Sequence, residues 1–395
     1  MASWLMRLGD LRFLLSQVGR ELLEQTAATP LTPDNHLPIA GRLRQQVGPT
    51  QAQAILETVL LRQLAVTKFG RAAEMFFTRP ALEQASAEGV SHYRAGRFQA
   101  AGWQWIADLG CGIGGDSLAL AAQAQVIGIE LDEVRLRMAG ENARVYGRGE
   151  RFYPLCADLR QLAPLPIQAL FFDPARRDEH GRRLYSVQHY RPPLTLLDAW
   201  REKTPNAAAK ISPGVDYDEL PPAAEVEFIS VAGGVREAVL WFGDLRSAAQ
   251  RRATLLPAGH TLTDQDERSA AVARPQSYLY EPDGAVIRAH LVEQLAYQLE
   301  AARIDPQIAY LTAGHHQPTP FATVYAIEDA FPFQLKRLRT YLRQRNVGRV
   351  VVKKRGSPLD PDWLRHQLRL GGDEERVIFL TQVQGAATVL VGRAG

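Results

Sequence analysis

The residues from Ala107 to Ala121, ADLGCGIGGDSLALA, put Gly110, Gly112 and Gly114 between an apolar run and a helix-like tail. Backbone without side chains turns tightly and lets a ligand come close, and the N–H groups that open a helix suit a carboxylate or phosphate. Such a bend is a cofactor cradle. Gly110, Gly112 and Gly115 also satisfy G-x-G-x-x-G, so glycine spacing alone leaves open a nicotinamide dinucleotide and other adenosine-bearing ligands. Asp108 narrows the choice. Two residues before the first glycine, it puts a carboxylate where dinucleotide enzymes usually keep an apolar residue, which suits a ligand with a positive amino group, such as the methionine part of S-adenosylmethionine. Glu130, closing the run AQVIGIE, is placed to accept from both ribose hydroxyls. Asp158, closing the next run, is placed to accept from an adenine amine.

Asp173-Pro174 ends the run ALFFDP beside the same cleft. A carboxylate there can align an acceptor group for in-line displacement and take up the released proton. Arg176 and Arg177 follow at once and read two ways, as grips on a phosphate or base, or as a solvated loop. Upstream, MFFTRP offers Phe77 and Thr78 as a lid over the ligand, although aromatics of this kind also serve as core. His180, His189, His315 and His316 lack helical metal spacing, and Cys111 and Cys156 form no metal pair. No metal is expected.

These groups need elements to hold them. The 395 residues are 46% hydrophobic and 23% charged, the composition of a globular chain of two or three units. Two cysteines fit a reducing cytoplasm. The N-terminus carries Arg7, Asp10 and Arg12 inside its apolar pattern, unlike a signal peptide. No run approaches the ~20 apolar residues that cross a bilayer, so no membrane contact is expected.

Apolar spacing predicts helices from Trp4 to about Phe69. WIADLGC, AQVIGIE, RFYPLCAD, ALFFDP and AAAKISP read as five buried parallel strands, and EVEFISVAGGVREAVLWFG as a hairpin turning at Gly233-Gly234. The expected fold class is α/β, with a Rossmann-like, mostly parallel sheet carrying one antiparallel strand. The expected divisions are a helical unit over 1–69, the cofactor-binding domain over 70–246, a mixed connecting region over 247–330, and a small α+β domain over 331–395.

From Gln334 to Arg376 there are twelve Lys or Arg against five acids, although the whole chain has a net charge of only +3. Leu335, Leu338 and Leu342 define one face of a predicted helix, while Lys336, Arg339 and Arg343 line another. Lys353, Lys354 and Arg355 follow at a strand end. Clustered cations of this kind either attract the phosphates of RNA or form a solvated face.

The block from Asp108 to Asp116, with Glu130, resembles the first two motifs of class I S-adenosylmethionine-dependent methyltransferases. With MFFTRPALEQAS, FFDPARR and the basic tail, the chain resembles a bacterial group of such enzymes that carries a C-terminal THUMP-like domain. The glycine motif is also locally similar to trimethylguanosine synthases. The resemblance implies S-adenosylmethionine as cofactor and a structured RNA, tRNA or rRNA, as partner. In amino-methylating members, the position of Asp173-Pro174 holds an Asp/Asn/Ser-Pro-Pro-aromatic motif, whose polar side chain and following carbonyl accept from the target amine. Here Ala175 replaces the second proline and Arg176 the aromatic. The competing readings are an NAD-dependent oxidoreductase, a methyltransferase of protein or small molecules, and a non-catalytic RNA-binding protein.

Overall fold

The computed structural model describes residues 5–177, 182, 184, 186–265 and 269–394. The chain divides into two units, residues 1–224 with 239–246, and residues 225–238 with 247–395. In the first unit, helices α1 (Leu8–Leu15), α2 (Gln17–Ala27), α3 (Pro33–Val47) and α4 (Pro49–Ala65) come first. The expected start at Trp4 lies outside the described residues. Gly19 permits the sharp step from α1 to α2, because a Cβ there would sit 2.0 Å from the Phe13 carbonyl oxygen. Ser16 caps α2 by accepting from the Gly19 N–H at 3.2 Å.

Helices α5 (Arg79–Gln84) and α6 (Glu88–Ala100) lead into β1 (Trp105–Leu109), α7 (Gly115–Leu120), β2 (Gln125–Glu130), α8 (Glu133–Val145), β3 (Phe152–Cys156), β4 (Ala169–Phe172), α9 (Leu196–Arg201) and β5 (Ala207–Ile211). β1 pairs in parallel with β2 and β4, β2 with β3, and β4 with β5. β6 (Glu225–Val231) and β7 (Gly234–Phe242) follow. The turn between them runs through Ala232 and Gly233, whose φ values of 50° and 78° are the left-handed geometry of a two-residue hairpin. The strand order β3-β2-β1-β4-β5-β7 makes a mostly parallel sheet with helices between its strands, as expected. β4 and β5 are buried along their whole length, which explains why ALFF and AAAKI lack polar alternation.

In the second unit, β6 pairs in parallel with β8 (Arg251–Leu256), which pairs antiparallel with β9 (His260–Thr263). Next come β10 (Tyr278–Pro282), α10 (Gly284–Arg288), α11 (Val292–Gln298), β11 (Ala302–Asp305), β12 (Ile308–Ala313) and β13 (Ala322–Pro332). The chain ends with α12 (Leu335–Gln344), β14 (Val347–Lys354), α13 (Pro361–Leu368), β15 (Glu374–Val383) and β16 (Ala386–Ala394). These strands form one seven-stranded sheet in the order β11-β12-β10-β13-β16-β15-β14. β13 pairs with β10 on one side and β16 on the other, so it runs across the expected division at 330/331. Leu338 and Leu342 of α12 and Leu364 and Leu368 of α13 are buried with Ile378 and Val391. Among the described residues, no helix is long and apolar enough to cross a membrane.

Candidate active site at the glycine loop

The glycine loop leaves β1 with the N–H groups of Gly110 and Cys111 donating to the Ile129 carbonyl at 2.9 and 3.0 Å. Gly110, Gly112 and Gly114 all have positive φ, at 88°, 57° and 86°. At Gly110 a Cβ would lie 3.2 Å from the Asp173 carbonyl oxygen, whereas a Cβ at Gly112 would meet nothing within 4 Å. The first glycine therefore permits close approach of β4's end, and the second borders open space. The N–H groups of Gly112 and Asp132 donate to the two Glu130 carboxylate oxygens, each at 3.0 Å. Glu130 is thus fixed at the end of β2 with lone pairs to spare for hydroxyl donors.

Asp108 lies under this loop, 1% exposed. Its Oδ2 accepts from Ser117 Oγ at 2.5 Å, while Oδ1 has no hydrogen-bond partner among the described residues. Burial, reinforced by the nearby Asp116 carboxylate, pushes Asp108 up to about 8. Burial opposes the charge of Asp116 as well, but the Arg94 guanidinium pairs with it and keeps it below the usual carboxylate range. Of the two buried acids, Asp116 has its cation within the protein and Asp108 does not. An orphaned buried carboxylate oxygen fits the ammonium of a methionine moiety.

Asp173 sits at the end of β4, and its Oδ2 accepts from Lys210 Nζ at 2.6 Å. Lys210, on β5, is only 2% exposed, while the Asp173 side chain is 23% exposed. Burial lowers the Lys210 pKa against the pull of Asp173 and Asp116. Nearby, Arg176 donates to the Ile211 carbonyl at 3.1 Å, and Tyr190 Oη accepts from the Ser212 N–H at 2.9 Å. Pro174 is buried, and Ala175 bridges to Arg191. The sequence reading did not single out Lys210; a lone lysine inside the apolar run AAAKI was its only signal.

Phe77 is buried against Phe69, with ring centroids 5.7 Å apart, so it is core. Thr78 caps α5, its Oγ1 accepting from the Ala81 N–H at 3.3 Å. Asn142, on α8, ties this segment to the glycine loop: its Oδ1 accepts from the Phe76 N–H at 2.8 Å, and its Nδ2 donates to the Phe76 and Ile113 carbonyls at 3.0 and 2.9 Å. We expect Asn142→Ala to cost on the order of 2–3 kcal/mol by leaving buried backbone groups unpaired, a loss read by thermal denaturation. Asp158 is engaged by Arg160, with 2.6 Å between Oδ2 and Nη2, and those hydrogen bonds hold it below the usual carboxylate range. Arg177 lines a cavity of about 400 Å³ with Leu61, Leu64, Lys68, Arg79 and Leu82.

In the second unit the candidate cations separate into two sets. Lys336, Arg343 and Lys354 are exposed, and Arg343 also donates to the Arg369 carbonyl at 3.4 Å. Arg339 donates to the Gln367 carbonyl, Lys353 pairs with Glu281, and Arg355 lies over the Tyr310 ring at 5.2 Å. Among the described residues, no group of three or more His, Cys, Asp or Glu could hold a metal ion, and His180 lies outside them.

Residues 103–193 match the RNA cap guanine-N2 methyltransferase family, residues 322–394 match the THUMP domain-like family, and residues 7–65 match a domain of unknown function. Uncharacterised S-adenosylmethionine-dependent methyltransferases of two Mycobacterium tuberculosis strains are each 34% identical over 351 residues, covering 84% of this chain and 93% of theirs. A crystal structure of a putative methyltransferase from Porphyromonas gingivalis superposes with a TM-score of 0.75 at 21% identity, covering 93% of this chain and 100% of that one.

Proposed function

Since the chain belongs to the S-adenosylmethionine-dependent methyltransferases that carry a THUMP-like domain at the C-terminus, we propose that it methylates a structured RNA, tRNA or rRNA, at the end of β4. The bound cofactor supplies a methyl group on a positively charged sulfur. The observation that carries the cofactor half of this reading is the orphaned Oδ1 of Asp108 beneath three left-handed glycines. Asp108 holds the amino group, Glu130 takes the ribose hydroxyls, and the open backbone at Gly112 admits the ligand.

Asp173 and the carbonyl that Gly110 approaches are the acceptors that orient the group to be methylated. Holding the nucleophile in line supplies most of what a protein adds to such a displacement. Support for RNA comes from the matches to an RNA cap methyltransferase family and a THUMP-like family. In this reading the exposed Lys336, Arg343 and Lys354 contact phosphates.

Methyl-labelled S-adenosylmethionine, incubated with the protein and with RNA or protein extracted from cells lacking the gene, tests the reading. Label is expected in RNA; label in protein alone would overturn it. Replacing Lys336, Arg343 and Lys354 together with alanine should lower the log-log salt slope of RNA binding by roughly 2, at 0.7–0.9 per lost contact. An unchanged slope would remove these cations from the RNA interface.

A further inference from the structure

The buried lysine beside Asp173 is unused in the reading above. A lysine with 2% exposure in a central strand of five buried residues carries a large desolvation cost, which only a close partner offsets. Its partner is the one carboxylate at the end of β4, and the pair is asymmetric: the ammonium is enclosed, while the carboxylate keeps a face toward solvent.

We propose that Lys210 is the positioning residue of the transfer step, holding Asp173 Oδ2 so that Oδ1 stays oriented as an acceptor for the N–H or O–H group to be methylated. This rests on the methyltransferase reading and deepens it. The acceptor's lone pair forms the bond to the methyl carbon as the carbon–sulfur bond breaks and its electron pair stays on sulfur. The acceptor's proton passes to Asp173 Oδ1 and on to water.

A fixed ammonium at 2.6 Å does two things for that oxygen. It restricts the rotation of the carboxylate, and it occupies Oδ2 so that Oδ1 is the atom presented to the acceptor. The other charged groups acting on Lys210 are Asp116, Arg176, Arg94 and Lys68. Arg94 is paired with Asp116, Arg176 is bonded to the Ile211 carbonyl, and Lys68 donates to the carbonyls of Leu82, Glu83 and Ala85. Asp108 and Tyr190 also lie within electrostatic reach of the pair. None of these replaces the direct contact at Oδ2.

The test compares Lys210→Met, Lys210→Arg, Asp173→Asn and the double variant Asp173→Asn/Lys210→Met, using methyl-labelled S-adenosylmethionine and whichever extracted fraction the wild type labels. Lys210→Met should lower kcat by roughly 10- to 100-fold and leave the Kd for S-adenosylmethionine within about twofold. Lys210→Arg, which keeps the cation, should recover most of that loss. The double variant should be no slower than Asp173→Asn, because Lys210 acts through Asp173.

An unchanged kcat in a folded Lys210→Met protein, no recovery in Lys210→Arg, or losses that multiply in the double variant would overturn the proposal. If Lys210→Met fails to fold, the double variant, in which neither charge is left unpaired, decides by the same comparison with Asp173→Asn. A wild type that labels no fraction would defeat the methyltransferase reading itself. A wild type that labels one, with Lys210→Met indistinguishable from it, would defeat the Lys210 proposal alone.

Discussion

Asp108→Asn is expected to weaken S-adenosylmethionine binding by on the order of 100-fold or more while leaving the fold intact. The side chains are nearly the same size, and Ser117 Oγ can still donate to the remaining oxygen. What is lost is a buried negative charge opposite a cation, and removing one member of such a pair costs about 3–5 kcal/mol. The wild type adds a second signature. Its Asp108 is raised to about 8, mainly by burial, so the ligand-free site holds a neutral acid at neutral pH. Binding an ammonium requires the charged form, so affinity should rise about tenfold per pH unit below that value and level off above it.

The stability of the ligand-free protein should carry the opposite sign. The folded state binds more protons than the unfolded state between the ordinary carboxylate value and about 8, so this contribution is complete at low pH and is lost as the pH rises through about 8. Titration calorimetry in buffers of different ionisation enthalpy reads the binding effect, with close to one proton released per ligand below that pH, and thermal denaturation against pH reads the stability. Asp108→Asn should abolish the pH dependence together with the affinity. Binding that is unchanged and pH-independent in this variant would show that Asp108 does not hold the amino group.

Asp173→Asn should produce the complementary result, with transfer falling by roughly 100- to 1000-fold and cofactor affinity unchanged within about twofold. An amide keeps the shape of the carboxylate but accepts weakly and cannot take up a proton, and positioned acid–base groups are worth 10²–10⁴-fold. Loss of affinity together with rate would place Asp173 on the cofactor instead of the acceptor. Single-turnover transfer measured beside equilibrium binding separates the two cases.

The glycine loop and the strands on either side of it were legible because their signals are local. WIADL, QVIGIE, ALFF and AAAKI are apolar runs that stop at polar or glycine residues, and the model places β1, β2, β4 and β5 on them. The hairpin was legible for the same reason, although its turn uses Ala232 and Gly233, one residue earlier than the two glycines suggest. Lys210 was not singled out, although its sequence held a clue: a charge inside a run that must be buried on both faces requires a partner. Nothing local points from Lys210 to Asp173, which lies on a different strand.

Asn142 is less legible still, since an amide within ENARV reads the same in sequence whether or not it bonds to Phe76 and Ile113. The basic tail illustrates the reverse error. A count of charges cannot show that Lys353 is paired with Glu281, far earlier in the chain, or that Arg355 is stacked on Tyr310. Likewise β13 draws residues 278–313 into the C-terminal sheet through pairings between distant strands, which periodicity does not encode.

Transfer of methyl groups from S-adenosylmethionine to RNA at Asp173 should be visible in the nucleosides of the cell. Quantitative mass spectrometry of nucleosides from tRNA and rRNA tests it most directly, in cells that carry the gene, lack it, or carry Asp108→Asn or Asp173→Asn in its place. One methylated nucleoside is expected with the wild-type gene and should be missing in the other three. Identical nucleoside profiles in all four strains would contradict it.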